Sequence, residues 1–171
     1  MRKRIALSSL LVLVAAAAVL AHPHFNKVLK VTLEGGTEAT ITYATTPANE
    51  LNAQKVALGE FVVPRRPMLK LSADLKTGSI TLPAGDYTIG VIKNSDTDWT
   101  MALYPGTIPR GEKPDMAKLI KLESVYSTGM GKSDHMLIDI EPGSGKLENR
   151  AVLTIHFGNM FLAGAITDVQ K

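Results

Sequence analysis

Leu82–Leu103 reads LPAGDYTIGVIKNSDTDWTMAL, two runs of alternating character joined by polar residues. Side chains two apart share one face of a pleated strand. Tyr87, Ile89 and Val91 therefore share one face of the first run, with Asp86, Thr88, Gly90 and Ile92 on the other. In the second run Trp99, Met101 and Leu103 are opposed by Thr100 and Ala102. Between them, Asn94-Ser95-Asp96-Thr97-Asp98 consists of residues whose side chains bond their own backbone in turns. The stretch predicts an antiparallel hairpin with one core-facing apolar row on each arm.

The same period extends in both directions. Leu29, Val31 and Leu33 alternate with Lys30, Thr32 and Glu34 and stop at Gly35-Gly36; Ala39, Ile41 and Tyr43 follow, predicting a second hairpin. Thr45–Gln54 reads as a loop or a short helical turn, and Val56–Val63 as a strand stopped by Pro64-Arg65-Arg66-Pro67. Arg65-Arg66 is expected at an exposed corner, with contact to an anion or a partner as the alternative. Met68–Ser72 alternates again, and Pro83-Ala84-Gly85 is a turn. After the hairpin, Pro105–Pro114 must be irregular. Asp115–Leu122 is either a short helix capped by Asp115 or, from Leu119, a strand continuing to Tyr126. Met136, Ile138 and Ile140 form one further inward row, and Ala151, Leu153, Ile155 and Phe157 another, before Gly158-Asn159 turns the chain into Met160–Ile166. About nine or ten short strands with almost no helical period predict an all-β chain, a single antiparallel β-sandwich or jelly-roll-like domain.

Arg2, Lys3 and Arg4 precede an apolar run, Ile5–Leu20, interrupted only by Ser8 and Ser9. That is the layout of a secretory signal peptide, too short and too Ala-rich at its end for a membrane span. Val19-Leu20-Ala21 satisfies the small-residue rule for cleavage, so 1–21 is the expected leader and 22–171 the mature domain; cleavage after Ala17 or Ala18 is the alternative. With no cysteine, neither a lipid anchor on cysteine nor a disulfide is available. The expected location is the periplasm or the extracellular space, with no stable membrane span after processing. Removing the leader's three cations takes the 19 Lys and Arg to 16, level with the 16 Asp and Glu, so the net +3 belongs to the leader. Nucleic acid is excluded as a partner on that balance.

The strand Leu69–Leu75, the turn at Gly78, the element Leu82-Pro83-Ala84-Gly85-x-Tyr87 and Asp98-Trp99-Thr100 all fall within Gly59–Leu103. Together they resemble a family of exported bacterial proteins known as domain of unknown function 2911. Family members carry a Trp-Arg and Gly-x-Asn cluster before the LPAG element, whereas this chain has Phe61–Pro67, FVVPRRP. The resemblance implies an exported β-sandwich and supplies no catalytic residue.

The sharpest chemical candidate is a metal site at the mature amino terminus. With His22 first, its free amine and imidazole could chelate one ion, and a further histidine would complete a histidine brace. The available partners are His24, His135 and His156, with Met130 and Met136 near His135. Amine and imidazole nitrogen suit Cu(II) and thioether sulfur suits Cu(I), so the cofactor would be copper. Pro23 has no N–H, which blocks the competing amino-terminal motif that uses backbone amides. Against this stands the plain reading of four ordinary histidines and a core methionine.

Other chemistry is weaker. There is no G-x-S-x-G elbow and no cysteine nucleophile. Asp139 with Glu141, and Asp96 with Asp98, are the paired carboxylates a hydrolase would need. Asn94–Asp98 lacks the closing Glu of a calcium loop, and Gly129-Met130-Gly131-Lys132-Ser133 lacks the first Gly of a phosphate loop. Trp99 and Tyr87 are the candidate ligand platform, with Trp99 as a core anchor the competing reading. The leading expectation is a non-enzymatic binding module for an envelope or extracellular partner; copper binding and hydrolysis are the alternatives.

Overall fold

The structure is a computed structural model that describes residues 25–33, 35–143, 146 and 150–168. The expected leader, His22 and His24 lie outside the described residues.

Two antiparallel sheets face each other across one core. The first contains β1 (Asn26–Thr32), β2 (Glu38–Ala44), β3 (Phe61–Val62), β4 (Met68–Leu71), β7 (Gly85–Ser95), β8 (Asp98–Pro105) and β9 (Ile120–Lys121), in the order β1-β2-β4-β7-β8-β9. β7 is long enough to pair twice along one edge: Gly85–Thr88 run against β4, and Val91 and Ile92 against β3. The second sheet contains β5 (Leu75–Thr77), β6 (Ile80–Leu82), β10 (Glu123–Ser127), β11 (Ser133–Pro142), β12 (Arg150–Gly158) and β13 (Met160–Asp168), in the order β11-β12-β13-β5-β6. β13 likewise serves two partners, β10 along Phe161–Ala165 and β5 along Thr167 and Asp168.

Both sides of the sandwich are sewn shut. On one side an extended segment starts against β8, donates Leu122 N–H to the Met101 carbonyl at 2.9 Å and continues as β10 against β13. On the other, the chain leaving β2 runs beside β11: Ala48 N–H donates to Asp134 O at 2.9 Å and Met136 N–H to Thr46 O at 2.8 Å. These crossings satisfy backbone groups that two separate sheets would leave at open edges.

The alternating rows land as their period requires. Ile89, Met101 and Leu103 from β7 and β8 meet Met136, Ile138 and Leu153 from β11 and β12, each essentially inaccessible to solvent. Each such side chain contributes about 1.5–3 kcal/mol of apolar burial. The opposite face of β7–β8 is covered as well. Phe61, Ile92 and Ala102 form a second small cluster with Val63, Tyr104, Ile108 and Leu119, so the irregular Pro105–Leu119 segment is a cover rather than a free loop. Gly90 makes this possible, because the Phe61 ring lies where its side chain would be.

Three local expectations are refined. The polar loop of the central hairpin is tighter than Asn94–Asp98, since Ser95 still faces Asp98 and only Asp96 and Thr97 form the turn. Val56–Val63 is not one strand: Val56 N–H bonds back to Ala53 O at 3.2 Å, ending a helical turn, and Gly59 has φ 77°, so pairing begins only at Phe61. Asp115–Tyr126 does both things anticipated of it. The Asp115 carboxylate accepts Ala117 N–H at 3.1 Å and caps a 3-10 turn, Met116–Lys118, after which the chain becomes strand. Among the described residues no helix is long and apolar enough to cross a membrane.

Candidate functional site: an apolar cavity beneath a short helix

Between the inner faces of the two sheets, beside the β7–β8 and β12–β13 turns, lies a partly open cavity of about 310 Å³. Sheet alternation sends Val91 and Trp99 into it from the first sheet and Met136, Ile155, Phe157 and Leu162 from the second. These rows belong to the same alternation that builds the core, but the sheets' facing side chains do not fill the space here.

A single short helix, α1 (Glu50–Gln54), roofs the opening. Asn49 caps it, its side-chain oxygen accepting Asn52 N–H at 3.2 Å. Five residues are too few for an independent helix, so tertiary contacts must hold it. At its start Glu50 accepts Asn159 N–H at 3.1 Å and the Asn159 side-chain amide at 3.4 Å, tying it to the β12–β13 turn. At its end the Gln54 carbonyl accepts a hydrogen bond from Lys93 Nζ at 2.9 Å, tying it to β7. The roof is therefore fastened to both sheets.

Lys93 lies on the inner row of β7 and is 3 % exposed. Besides the Gln54 carbonyl, its ammonium meets Asp96 Oδ1 at 2.8 Å and sits 6.0 Å from the centre of the Trp99 ring. A buried cation needs such a complete set of partners. Tyr126, directly across from Leu162 on β10, has its phenol pKa raised by burial and then by the charges of Glu50 and Asp98. It stays neutral beside the cavity wall.

The polar part of the lining is sparse. Thr46, Asn49 and Asn52 supply a hydroxyl and two amides; among the described residues Arg65 is the one charged residue of the lining, and no Asp or Glu lines the space. Few polar groups around an apolar interior is the usual makeup of a small-molecule site.

Of the residues singled out from sequence, Trp99 lines this cavity. Tyr87 does not: it is buried in the main core, its hydroxyl donates to the Pro83 carbonyl at 2.5 Å, and burial followed by the Asp74 charge raises its pKa. His135 forms an isolated bridge with Pro47. His156 lies opposite Leu137 on β12, with Nε2 3.3 Å from the Gly131 carbonyl and its ring edge-on to Phe161 at 5.6 Å between centres. Among the described residues no three His, Cys, Asp or Glu are grouped so as to hold a metal ion. Three of the four paired carboxylates are engaged locally. Asp96 meets Lys93, Asp98 accepts from the Asn94 amide at 2.8 Å, and Asp139 accepts the N–H of Ile140 at 2.8 Å.

Sequence reasoning passed over Phe157, Met160 and Leu162 as cavity residues and over Lys93 as an anchor. Phe157 was legible as an inward position, but nothing local marks an inward position as unfilled. Compared with known proteins, the chain matches no family model, and no curated protein or solved structure gives a significant match.

Proposed function

We propose that this chain is a non-enzymatic exported binding protein whose ligand is a small, largely apolar molecule held in the cavity beneath α1. The observation that carries this reading is the cavity itself: about 310 Å³ of mainly apolar space under a roof fastened to both sheets. Its volume falls at the low end of the usual range for ligand pockets. Among the described residues the lining presents no nucleophile paired with a base and no pair of free carboxylates, so binding rather than turnover fits its chemistry. The resemblance to the exported family of unknown function adds an envelope or extracellular setting and no ligand.

Trp99 makes the test direct, because it is the only Trp in the chain and it lines the cavity. Titration with 1-decanol should change Trp99 emission saturably and with one-to-one stoichiometry. Ala53→Phe, which places a ring from the roof into the space, should abolish the change while leaving the unfolding midpoint at or above that of the parent. Emission that drifts linearly with alcohol, or a response that survives Ala53→Phe, would remove the cavity as the site.

A further inference from the structure

Resting on that reading of the cavity, we infer that its ligand is a single-chain amphiphile with a carboxylate head, the head held by Arg65 and the chain lying against Trp99, Phe157 and Leu162. Charge complementarity points first to an anion. Arg65 is the one charged residue of the lining, it is exposed, and it makes no ion pair among the described residues. Its planar guanidinium offers two parallel N–H donors, the geometry that matches a carboxylate. One cation with no acid beside it balances one negative charge.

The backbone beneath Arg65 gives a second, independent reason. Arg65 and Arg66 have φ of 55° and 51°, and they are the only non-glycine residues with positive φ among those described. The left-handed region costs an ordinary L-residue about 1–2 kcal/mol, and a turn with two such positions is normally made from Asn-Gly. Arginine adds nothing to the turn that Asn or Gly would not supply at lower cost. What arginine adds at this position is its side chain. Pro64 and Pro67 flank the pair, and the Pro67 carbonyl accepts Ile89 N–H at 2.8 Å, so the corner is held against β7 at the cavity's edge. Strain kept in place by its surroundings is characteristic of a site that positions a group.

Volume and lining then set the tail. At about 310 Å³ the cavity lies at the low end of the range for small-molecule sites, which suits one short alkyl chain better than a two-chain lipid. Each methylene buried against this wall should strengthen binding about fourfold.

The experiment compares decanoate with 1-decanol, below their aggregation concentrations, by Trp99 emission in the mature protein and in Arg65→Asn and Arg65→Lys. Asn accepts the left-handed backbone, and decanol binding reports whether each variant's cavity is intact. The expected result is decanoate bound about tenfold more tightly than decanol, with the preference lost in Arg65→Asn, partly kept in Arg65→Lys, and decanol affinity the same in all three. Along hexanoate, octanoate and decanoate affinity should rise with each methylene and level off once the chain outgrows the cavity. Decanol and decanoate binding alike would overturn the carboxylate head while leaving the apolar site standing. A decanoate preference that survives Arg65→Asn, or a loss of decanol binding in that variant, would overturn Arg65 as its holder. If neither ligand binds, both this inference and the cavity reading fail.

Discussion

Gly90→Ala tests how β3, and with it the Arg65 rim of the cavity, is held to the sheet. A methyl group at position 90 would fall against Cζ of Phe61, 2.5 Å from its Cε2 and 2.6 Å from the Val62 carbonyl oxygen. The ring, 7 % exposed, can turn aside only by giving up its burial. The carbonyl belongs to the β3–β7 ladder, where Val62 faces Val91, and moves only with its strand. Overpacking of this kind costs about 1–3 kcal/mol, and expelling Phe61 costs about as much in lost apolar burial. Alanine recovers about 0.5–1 kcal/mol of the backbone freedom that glycine loses in a strand. The balance is a destabilisation of about 2 kcal/mol, or about 4–8 °C in Tm for a domain of this size. Urea unfolding followed by Trp99 emission should show a lower midpoint at an unchanged slope. Phe61→Ala alone also destabilises, by leaving a hole, but in that background Gly90→Ala should cost less because the ring atoms are gone and only the carbonyl contact remains. A coupling of about 0.5 kcal/mol or more is expected from the cycle. A Gly90→Ala midpoint equal to wild type, or costs that simply add, would refute this account of the β3 contact.

Further tests address the roof, the β12–β13 turn that meets it and the two phenols with raised pKa. Lys93→Met removes the 2.9 Å bond to the Gln54 carbonyl but keeps an apolar stem in place, so hydrogen exchange at Lys55 and Val56 should quicken while global stability changes by no more than about 1 kcal/mol. Unchanged exchange there would mean that Lys93 does not hold α1. Gly158 has φ 63°, and a methyl group there would strike the Glu50 carboxylate, so Gly158→Ala should cost about 1–2 kcal/mol from the backbone alone and more with Glu50 present. An equal cost in a Glu50→Ala background would dispose of the steric part. Tyr87 and Tyr126 have pKa values raised above 10.0, Tyr87 by burial and Asp74, Tyr126 by burial and then Glu50 and Asp98. Above pH 10 the unfolded chain therefore releases phenolic protons that the folded chain keeps, and stability should be level below pH 10 and fall as pH rises beyond it. Tyr87→Phe should flatten part of that decline, and a profile identical to wild type would exclude Tyr87 as a contributor.

The fold was legible because a period of two is local information. Tyr87, Ile89 and Val91 need only their own neighbours to declare a face, and the Trp99, Met101 and Leu103 row repeats the statement on the next arm. Hairpin turns at Gly35-Gly36 and Gly158-Asn159 are equally local. The site was not legible in the same way. Glu50 and Asn159 are 109 residues apart, and Gln54 and Lys93 are 39 apart, so the fastening of α1 exists only after the sheets have met. Val56–Val63 misled for a related reason. Its apolar content suggested pairing, but the chain first completes the turn that carries α1 down onto β7, and Gly59 N–H then bonds Lys93 O at 2.8 Å before pairing begins. Trp99 stood between two readings, core anchor and ligand platform, because an inward row beside a cavity is compatible with both: Trp99 is 5 % exposed and part of the lining.

The cavity is partly open, so its space is filled by water or by a ligand rather than left as a void. Ordered water needs two to four polar partners, and the polar part of this lining is Thr46, Asn49, Asn52 and Arg65, while Phe157, Ile155 and Leu162 offer it none. Water against that wall lacks partners, and an apolar chain that displaces it gains the burial without breaking protein hydrogen bonds. A roof fastened to both sheets over such a space keeps it from collapsing, which packing alone would otherwise favour. Ligand-dependent stabilisation follows from this: a saturating apolar ligand should raise the unfolding midpoint as its concentration rises above Kd, and Ala53→Phe, by filling the space itself, should raise the ligand-free midpoint and remove the dependence.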